Sequence, residues 1–488
     1  MSKVDAIKFR MYDTGSVGDC LLLLFQKQGQ TSFSMLIDCG GFSTSTAKIS
    51  PAVLDIQKTC GGKLDLLVVT HQHLDHVSGF NQAKTIFDQI TVKDVWMSWI
   101  ENKNDAVAKV LKTKFGKTLA RLQDHADRAL QVMGNTNQVL PPVKDAGKRL
   151  EKRKLSMQNT RNLVHFELGF EPGQKALKGA KPTNDQAMDY VRNKGKIQYR
   201  LPGEVIKDIT GAEGMKFFML GPPRDRDMKF FKIALKDEEM YHLAMNSPTD
   251  EGEMPEEERL LNTGIDLVEG RSPFADEFLM DAAAIRAFNK VYNSEAFAWR
   301  QIETDWLETS ASIALKATRL TNNTSLAMAI EFEDSGRVIL LPGDAQSGNW
   351  MGWHKPDVSQ QLKDNGGKTT VELLNHTVFY KVGHHGSHNG TASVSGLEYV
   401  KSPDLVAMMP LIQNAIPEEW GGSTNFPAKP LYKVLIDKTK GRLIRTDQGV
   451  VTAAKAKELR GQLTREEKKE FTNSFAQGSC YVEYVIRG

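Results

Sequence analysis

Residues 66–80, LLVVTHQHLDHVSGF, constrain this chain more than any other stretch. The run 66–70 is short, apolar and β-branched, the composition of a strand buried on both faces, and Gly79 lets the backbone turn onward. After it come His71, His73, Asp75 and His76, ahead of a helix that Ser78 opens. Side chains alternate along a strand, so His71 and His73 point the same way and can hold one metal ion. Asp75 and His76 curl back toward a second position beside it. Surface histidines on a polar loop are the bland alternative. Three imidazoles and a carboxylate within six residues after a buried strand favour two adjacent metals instead.

THQHLDHVSG resembles the HxHxDH signature of the metallo-β-lactamase fold, in which a metal pair activates water for hydrolysis. The resemblance implies an α/β protein built as an αββα sandwich and leaves the substrate open. MYDTGSVGDCLLLLF followed by SMLIDCGG is similar to one branch of that superfamily, the hydrolase domain of ComEC-type DNA-uptake proteins and their free-standing soluble relatives. There a D-x-G-x-G-D-like loop and an I-D-x-G turn lie near the metals, which implies that Asp19 and Asp38 surround the site. A turn-former at Asp19 and a backbone cap at Asp38 are equal alternatives.

The same resemblance returns at residues 322–345, NNTSLAMAIEFEDSGRVILLPGDA, two strands joined by a turn at Asp334, Ser335 and Gly336. Its L-x-G-D phrase implies that Asp344 bridges both metals, the alternative being a helix cap. In TVFYKVGHHGSH, residues 377–388, the phrase V-G-H-H-G-S implies that His384 joins Asp75 and His76 on the second metal. Asp75 and His385 are then the catalytic candidates, His385 positioning substrate or protonating the leaving group. Adjacent imidazoles point to different sides, so the roles of His384 and His385 can be exchanged. Ser387 and His388 are candidate substrate contacts or ordinary turn residues. Asn425 and Asp447, in the closing N-containing loop and R-T-D-x-x-G strand, lie near the site or serve the fold. The resemblance spans residues 6–99, 214–223 and 320–452.

Two largely helical insertions interrupt it. The expected division is residues 1–100 as the first half of the fold, 101–213 as a basic helical and loop insertion, 214–223 as a core strand, 224–310 as a helical insertion or lid, and 311–488 as the second half. The first insertion carries a basic run at 144–154, then Lys175, Lys178, Lys181, Arg192, Lys194, Lys196 and Arg200. These form a contact surface for a phosphate backbone, DNA by preference, or a solvated loop. The second has an acidic run at 250–259 and aromatic neighbours from Phe274 to Trp306, a lid or a surface for a protein partner. Many hydrolases of this fold supply a further His to the first metal. His125, His165 and His242 occupy the insertions without a motif, so none is carried over. The first metal is left with His71, His73 and Asp344 and open positions; zinc suits the His-rich set, manganese an oxygen-rich shell.

With 488 residues and a formal net charge of +3, any nucleic-acid binding must come from a local patch. Cys20, Cys39, Cys60 and Cys480 lack metal or disulfide spacing, as in a reduced cytoplasmic protein, and no signal peptide or membrane span is read. The expected function is a hydrolase with two divalent metal ions, a phosphodiesterase or DNA nuclease using a metal-bridging hydroxide, since metal binding lowers the pKa of water from 15.7 to about 7. The alternatives are a hydrolase of small esters, thioesters or lactams, and a regulatory scaffold that binds a partner through its insertions.

Overall fold

Continuous apolar runs such as Leu21 to Phe25 become strands buried on both faces, and this sets the layering. The computed structural model describes residues 2–113, 115–117, 127, 158, 161–162, 166–167, 169, 183–224, 320–417 and 422–488. One unit consists of Met1–Leu119, His165–Ala244 and Ala317–Gly488; Ala120–Val164 and Met245–Lys316 make a second. All that follows concerns the first.

Strands β1 (Ala6–Tyr12), β2 (Leu21–Lys27), β3 (Gln30–Ile37), β4 (Lys63–Val69), β5 (Thr91–Ser98) and β6 (Lys196–Arg200) lie side by side in chain order. A second sheet holds β7 (Val205–Ile206), β8 (Met215–Gly221), β9 (Ala327–Phe332), β10 (Val338–Leu341), β11 (Thr377–Lys381), β12 (Val406–Met409), β13 (Leu443–Arg445) and β14 (Gly449–Val450), again in order. The chain then returns to the first sheet, where β15 (Phe475–Gln477) pairs with β16 (Tyr481–Arg487) and β16 pairs with β1. β3 to β6 run parallel, as do β10 to β13, so within each run the carboxyl ends share one edge.

Alternation sorts the side chains. Leu21, Leu23 and Phe25 enter the core between the sheets, where Phe9 stacks on Phe379 at 3.9 Å. Leu22 and Leu24 face the opposite way, into a core shared with α1 (Thr46–Thr59), α2 (Leu74–Gln82) and the helix Thr183–Arg192. On the second sheet, Trp350, Trp353, Leu362, Leu373 and Leu431 bring in the helices Ser347–Trp353, Pro356–Gly366, Thr370–Asn375 and Lys429–Lys438. The order is helices, sheet, sheet, helices, the expected αββα sandwich. Among the described residues no helix is long and apolar enough to cross a membrane. The four cysteines are unpaired.

The division expected from sequence needs correction at 101–213. Residues 183–206 supply a covering helix and the edge strands β6 and β7, so they belong to the core. Two cations of the supposed contact surface are used there: Arg192 pairs with Glu101 at 2.9 Å, and the Arg200 guanidinium lies 4.2 Å from the Trp96 ring centre. The run 144–154, Lys175, Lys178, Lys181, the second insertion from 225, and His125, His165 and His242 lie outside the described residues.

Helix α2 also begins earlier than Ser78. His73 is its N-cap, which places Asp75 and His76 in the first turn, where the helix dipole favours a carboxylate. The Ser78 hydroxyl instead ties down the turn after β3, donating to Gly41 O and accepting from Gly41 N, both at 3.0 Å. That turn presses so closely on α2 that a Cβ on Gly40 would fall 2.6 Å from His76 N. Gly40→Ala is therefore expected to lower the unfolding free energy of the metal-free protein by about 1–3 kcal/mol, the usual range for overpacking. Urea unfolding with chelator present checks this, and an unchanged midpoint would refute the close-packing account.

Candidate metal centre

The site is assembled at the carboxyl ends of β3, β4, β10 and β11 and in the turn between β1 and β2. His71 and His73 follow β4, Asp75 and His76 begin α2, Asp344 follows β10, and His384 and His385 follow β11. All except His384, which is half-buried, are cut off from solvent.

Asp75, His76, Asp344 and His385 offer ligand atoms that lie within 4.8 Å of one another. His76 Nε2 is 3.1 Å from Asp344 Oδ2, and His385 Nε2 is 3.1 Å from Asp75 Oδ2 and 4.0 Å from Asp344 Oδ2. Yet Asp75 Oδ1, His76 Nε2 and Asp344 Oδ2 make no hydrogen bond. Buried polar atoms normally find partners; His76 Nε2 and Asp344 Oδ2 have each other as their closest ion-pair contact and Asp75 Oδ1 has none, a set that a cation would satisfy.

The back of His76 is held firmly. Its Nδ1 donates to Asp38 Oδ2 at 2.8 Å, which turns Nε2 toward Asp344. Asp38 has a left-handed backbone (φ 55°) and accepts from the Thr70 amide at 2.8 Å and the Thr70 hydroxyl at 2.6 Å. The two readings of Asp38, backbone cap and histidine orienter, thus coincide in one side chain. Asp19 pairs with Lys381, and its backbone N–H donates to Asp75 O at 2.9 Å, pinning the first turn of α2. Lys381 also reaches Asp344 Oδ1 at 3.5 Å.

His71 and His73 form a second focus. His71 Nε2 and His73 Nδ1 face each other at 2.9 Å. His71 Nδ1 is 3.1 Å from the Thr70 hydroxyl and 3.2 Å from that of Ser325. The Thr70 hydrogen is engaged by Asp38, so its oxygen is the acceptor and Nδ1 the donor. His71 Nε2 is then a lone pair aimed at its neighbour, a geometry that only a proton or a metal between the rings can settle.

Electrostatics agree. Burial alone would lower the pKa of His76, but Asp344, Asp75, Asp38 and Asp19 outweigh it and hold the imidazole well above its ordinary value. Burial would raise Asp344, yet the charges of His76 and Lys381 keep it well below. For His71, burial and then the neighbouring His76 and His73 push the pKa well down. Burial opposes the charge on Lys381, and Asp19 and Asp344 restore it above the usual range. The cage around His76 favours positive charge.

Residues 17–94 match the family model of the metallo-beta-lactamase superfamily. That stretch covers β2 to β5, the Asp19 and Asp38 turns, and His71, His73, Asp75 and His76. With the two-sheet sandwich, it supports the metallo-β-lactamase fold, and Asp75, His76, Asp344 and His385 form a group that could hold a metal ion. A comparison with curated proteins found no match.

The structure brings together most of the residues singled out from sequence but sorts the adjacent histidines differently. His385 Nδ1 donates to Pro410 O at 2.8 Å and its Nε2 enters the cluster with Asp75. His384 stands at the edge: its amide donates to Asp344 Oδ1 at 2.9 Å, and its ring nitrogens meet Asn389 at 3.2 Å and Asn322 at 3.4 Å. Both residues have left-handed backbones, φ 48° and 52°, and this sharp turn swings the second ring inward. Ser387 donates to Asn389 Oδ1 at 2.8 Å, a turn contact, and His388 is half-buried in the same turn. Asp447 is held by Arg445 at 2.6 Å. Asn425 closes the short helix Gly422–Asn425. Sequence reasoning missed Lys381, Thr70, Ser325 and Glu167. Lys381 stood in view two residues before the GHHGS phrase; Glu167 had no local signal at all.

Proposed function

We propose that this chain is a metal-dependent phosphodiesterase, with DNA its leading substrate and two divalent ions, zinc or manganese, at the site. The single observation that carries the metal reading is the buried cluster of Asp75, His76, Asp344 and His385, whose ligand atoms lie within 4.8 Å of one another. In this reading His71 and His73 would hold one ion and Asp75, His76, Asp344 and His385 the other, with Asp344 the candidate to serve both. Bound there, the ions supply a water-derived nucleophile at neutral pH and neutralise charge on the group attacked.

The chain's own residues do the rest. Asp38 and Thr70 fix the ring of His76, and Lys381 with Asp19 keeps Asp344 ionised and in place. His384, at the half-buried edge, is the residue we place against substrate; burial lowers its pKa, so it serves there as a neutral imidazole that hydrogen-bonds or accepts a proton. Asp19, Asp38, Asp75, Asp344 and Glu167 against Lys381 leave four negative charges, which two divalent ions would balance, so the preference for an anionic substrate rests on the ions' own affinity for phosphoryl oxygens. The resemblance to the DNA-uptake branch and the basic run at 144–154 point to DNA.

The test is cleavage of labelled single- and double-stranded DNA with zinc, manganese or magnesium, with metal content measured on the same samples. His385→Ala is expected to lose metal and activity together. His384→Ala should keep its metal and lose roughly 100-fold or more in kcat, the range for general acid–base catalysis. Metal-loaded protein that cuts neither DNA form would overturn the nuclease reading, and metal loss in His384→Ala instead of His385→Ala would reverse the two assignments.

A further inference from the structure

We infer that Glu167 is a positioning residue that fixes the tautomer of His73 and so prepares the His71–His73 pair to bind metal. This rests on the proposed assignment of those two histidines to one ion and adds a residue that no motif or family match reaches.

Glu167 Oε1 lies 2.9 Å from His73 Nε2. A carboxylate only accepts, so Nε2 must carry the hydrogen, and in a neutral ring Nδ1 then carries the lone pair. Nδ1 is the atom that faces His71 Nε2 at 2.9 Å. The hydrogen bond on one side of the ring therefore chooses the nitrogen presented on the other, as carboxylates behind metal-bound histidines do.

Glu167 is itself held. It is 2 % exposed, and the Thr321 hydroxyl donates to its Oε2 at 2.7 Å. Phe166 lies against the His73 ring with centroids 4.7 Å apart and meets Phe42 at 5.5 Å. The ring is thus oriented by a hydrogen bond at one end and an aromatic contact on its face. Asp38 does the same for His76. Each half of the centre has a buried carboxylate behind a histidine, one from the turn after β3 and one from residues 166–167.

The experiment is zinc binding by competition with a chromophoric chelator, on the full-length protein, comparing wild type with Glu167→Gln, Glu167→Ala and Thr321→Val. Glu167→Gln is isosteric and keeps an acceptor oxygen. Expected is a 10- to 100-fold weaker affinity for one ion in Glu167→Ala, with the other ion unaffected, and partial rescue in Glu167→Gln. Thr321→Val should weaken the same ion by a smaller factor. Nitrogen-15 spectra of the metal-loaded wild type should show His73 protonated at Nε2, and Glu167→Gln should broaden or split that signal. Wild-type zinc binding with unchanged affinities in both Glu167 variants, or a His73 protonated at Nδ1, overturns the inference alone. A wild type that binds no zinc overturns the metal reading and this inference with it. Should Glu167→Ala fail to fold, Glu167→Gln and the His73 spectrum still decide.

Discussion

Asp344→Asn is expected to leave the protein unable to retain metal through dialysis, with affinity lower by more than about 100-fold, since even residues behind the ligands are worth 10- to 100-fold. The substitution keeps the shape and one oxygen, and that oxygen could still accept from the His384 amide. What changes is the atom 3.1 Å from His76 Nε2, where an acceptor becomes a donor pointed at a donor. Removing the charge also strips the main counterweight from the buried His76 and the second one from Lys381, 3.5 Å away on the other side. Breaking a buried pair from one side costs about 3–5 kcal/mol. The metal-free variant should therefore melt below metal-free wild type as well as fail to load. Metal analysis after dialysis, beside melting in chelator, reads both effects. Wild-type metal content in Asp344→Asn would remove Asp344 from the centre.

Metal is expected to stabilise the protein more strongly at alkaline than at neutral pH. In the metal-free fold both His76 and His73 hold protons more tightly than ordinary histidine. Burial opposes this at each, and the carboxylates around His76 and Glu167 beside His73 overcome it. A raised folded pKa contributes stability that is complete below the unfolded value of about 6.5 and lost as pH rises through the folded value. His71, lowered chiefly by burial, works in the opposite sense: stability falls as pH drops from about 6.5 toward its folded value. The metal-free protein should be most stable near that pH. Metal displaces the protons on His73 and His76, so its affinity should rise with pH, by up to about tenfold per unit for each proton released. At 100 times Kd an ion adds about 2.7 kcal/mol. Melting curves with and without zinc at pH 6.5 and 8.5 should show the larger shift at pH 8.5, and equal shifts would contradict the proton-for-metal exchange.

The parts of this molecule that sequence reveals are those whose cause is local. β1 is readable to the residue because Ala6–Tyr12 is bounded by polar and glycine-rich stretches, and the histidine loop because its ligands are packed into six positions after a strand. The start of α2 is hidden, since His73 caps it without the usual Ser, Thr, Asn or Asp signal. The choice between His384 and His385 depends on two consecutive left-handed residues, a backbone feature that Gly-rich flanks permit but do not announce. β6 and β7 are short edge strands with half-buried side chains, so they lack a clean alternation. Lys381, Ser325 and Glu167 act through tertiary approach: Lys381 meets Asp19 from the far side of the sequence, and Glu167 meets His73 across 94 positions. No spacing rule can connect such pairs.

The two halves of the metal centre are separated by more than half the chain, with His71 to His76 near one end of the sequence and Asp344 and His385 far along it. At typical elongation rates of roughly 5–20 residues per second, tens of seconds pass on the ribosome between the first ligands and the last. During that interval the nascent chain displays an imidazole cluster with no carboxylate bridge to close it. On the proposed assignment, an ion captured before Asp344 and His385 arrive would have only part of its ligand set, so the centre would be completed only once the second sheet has formed.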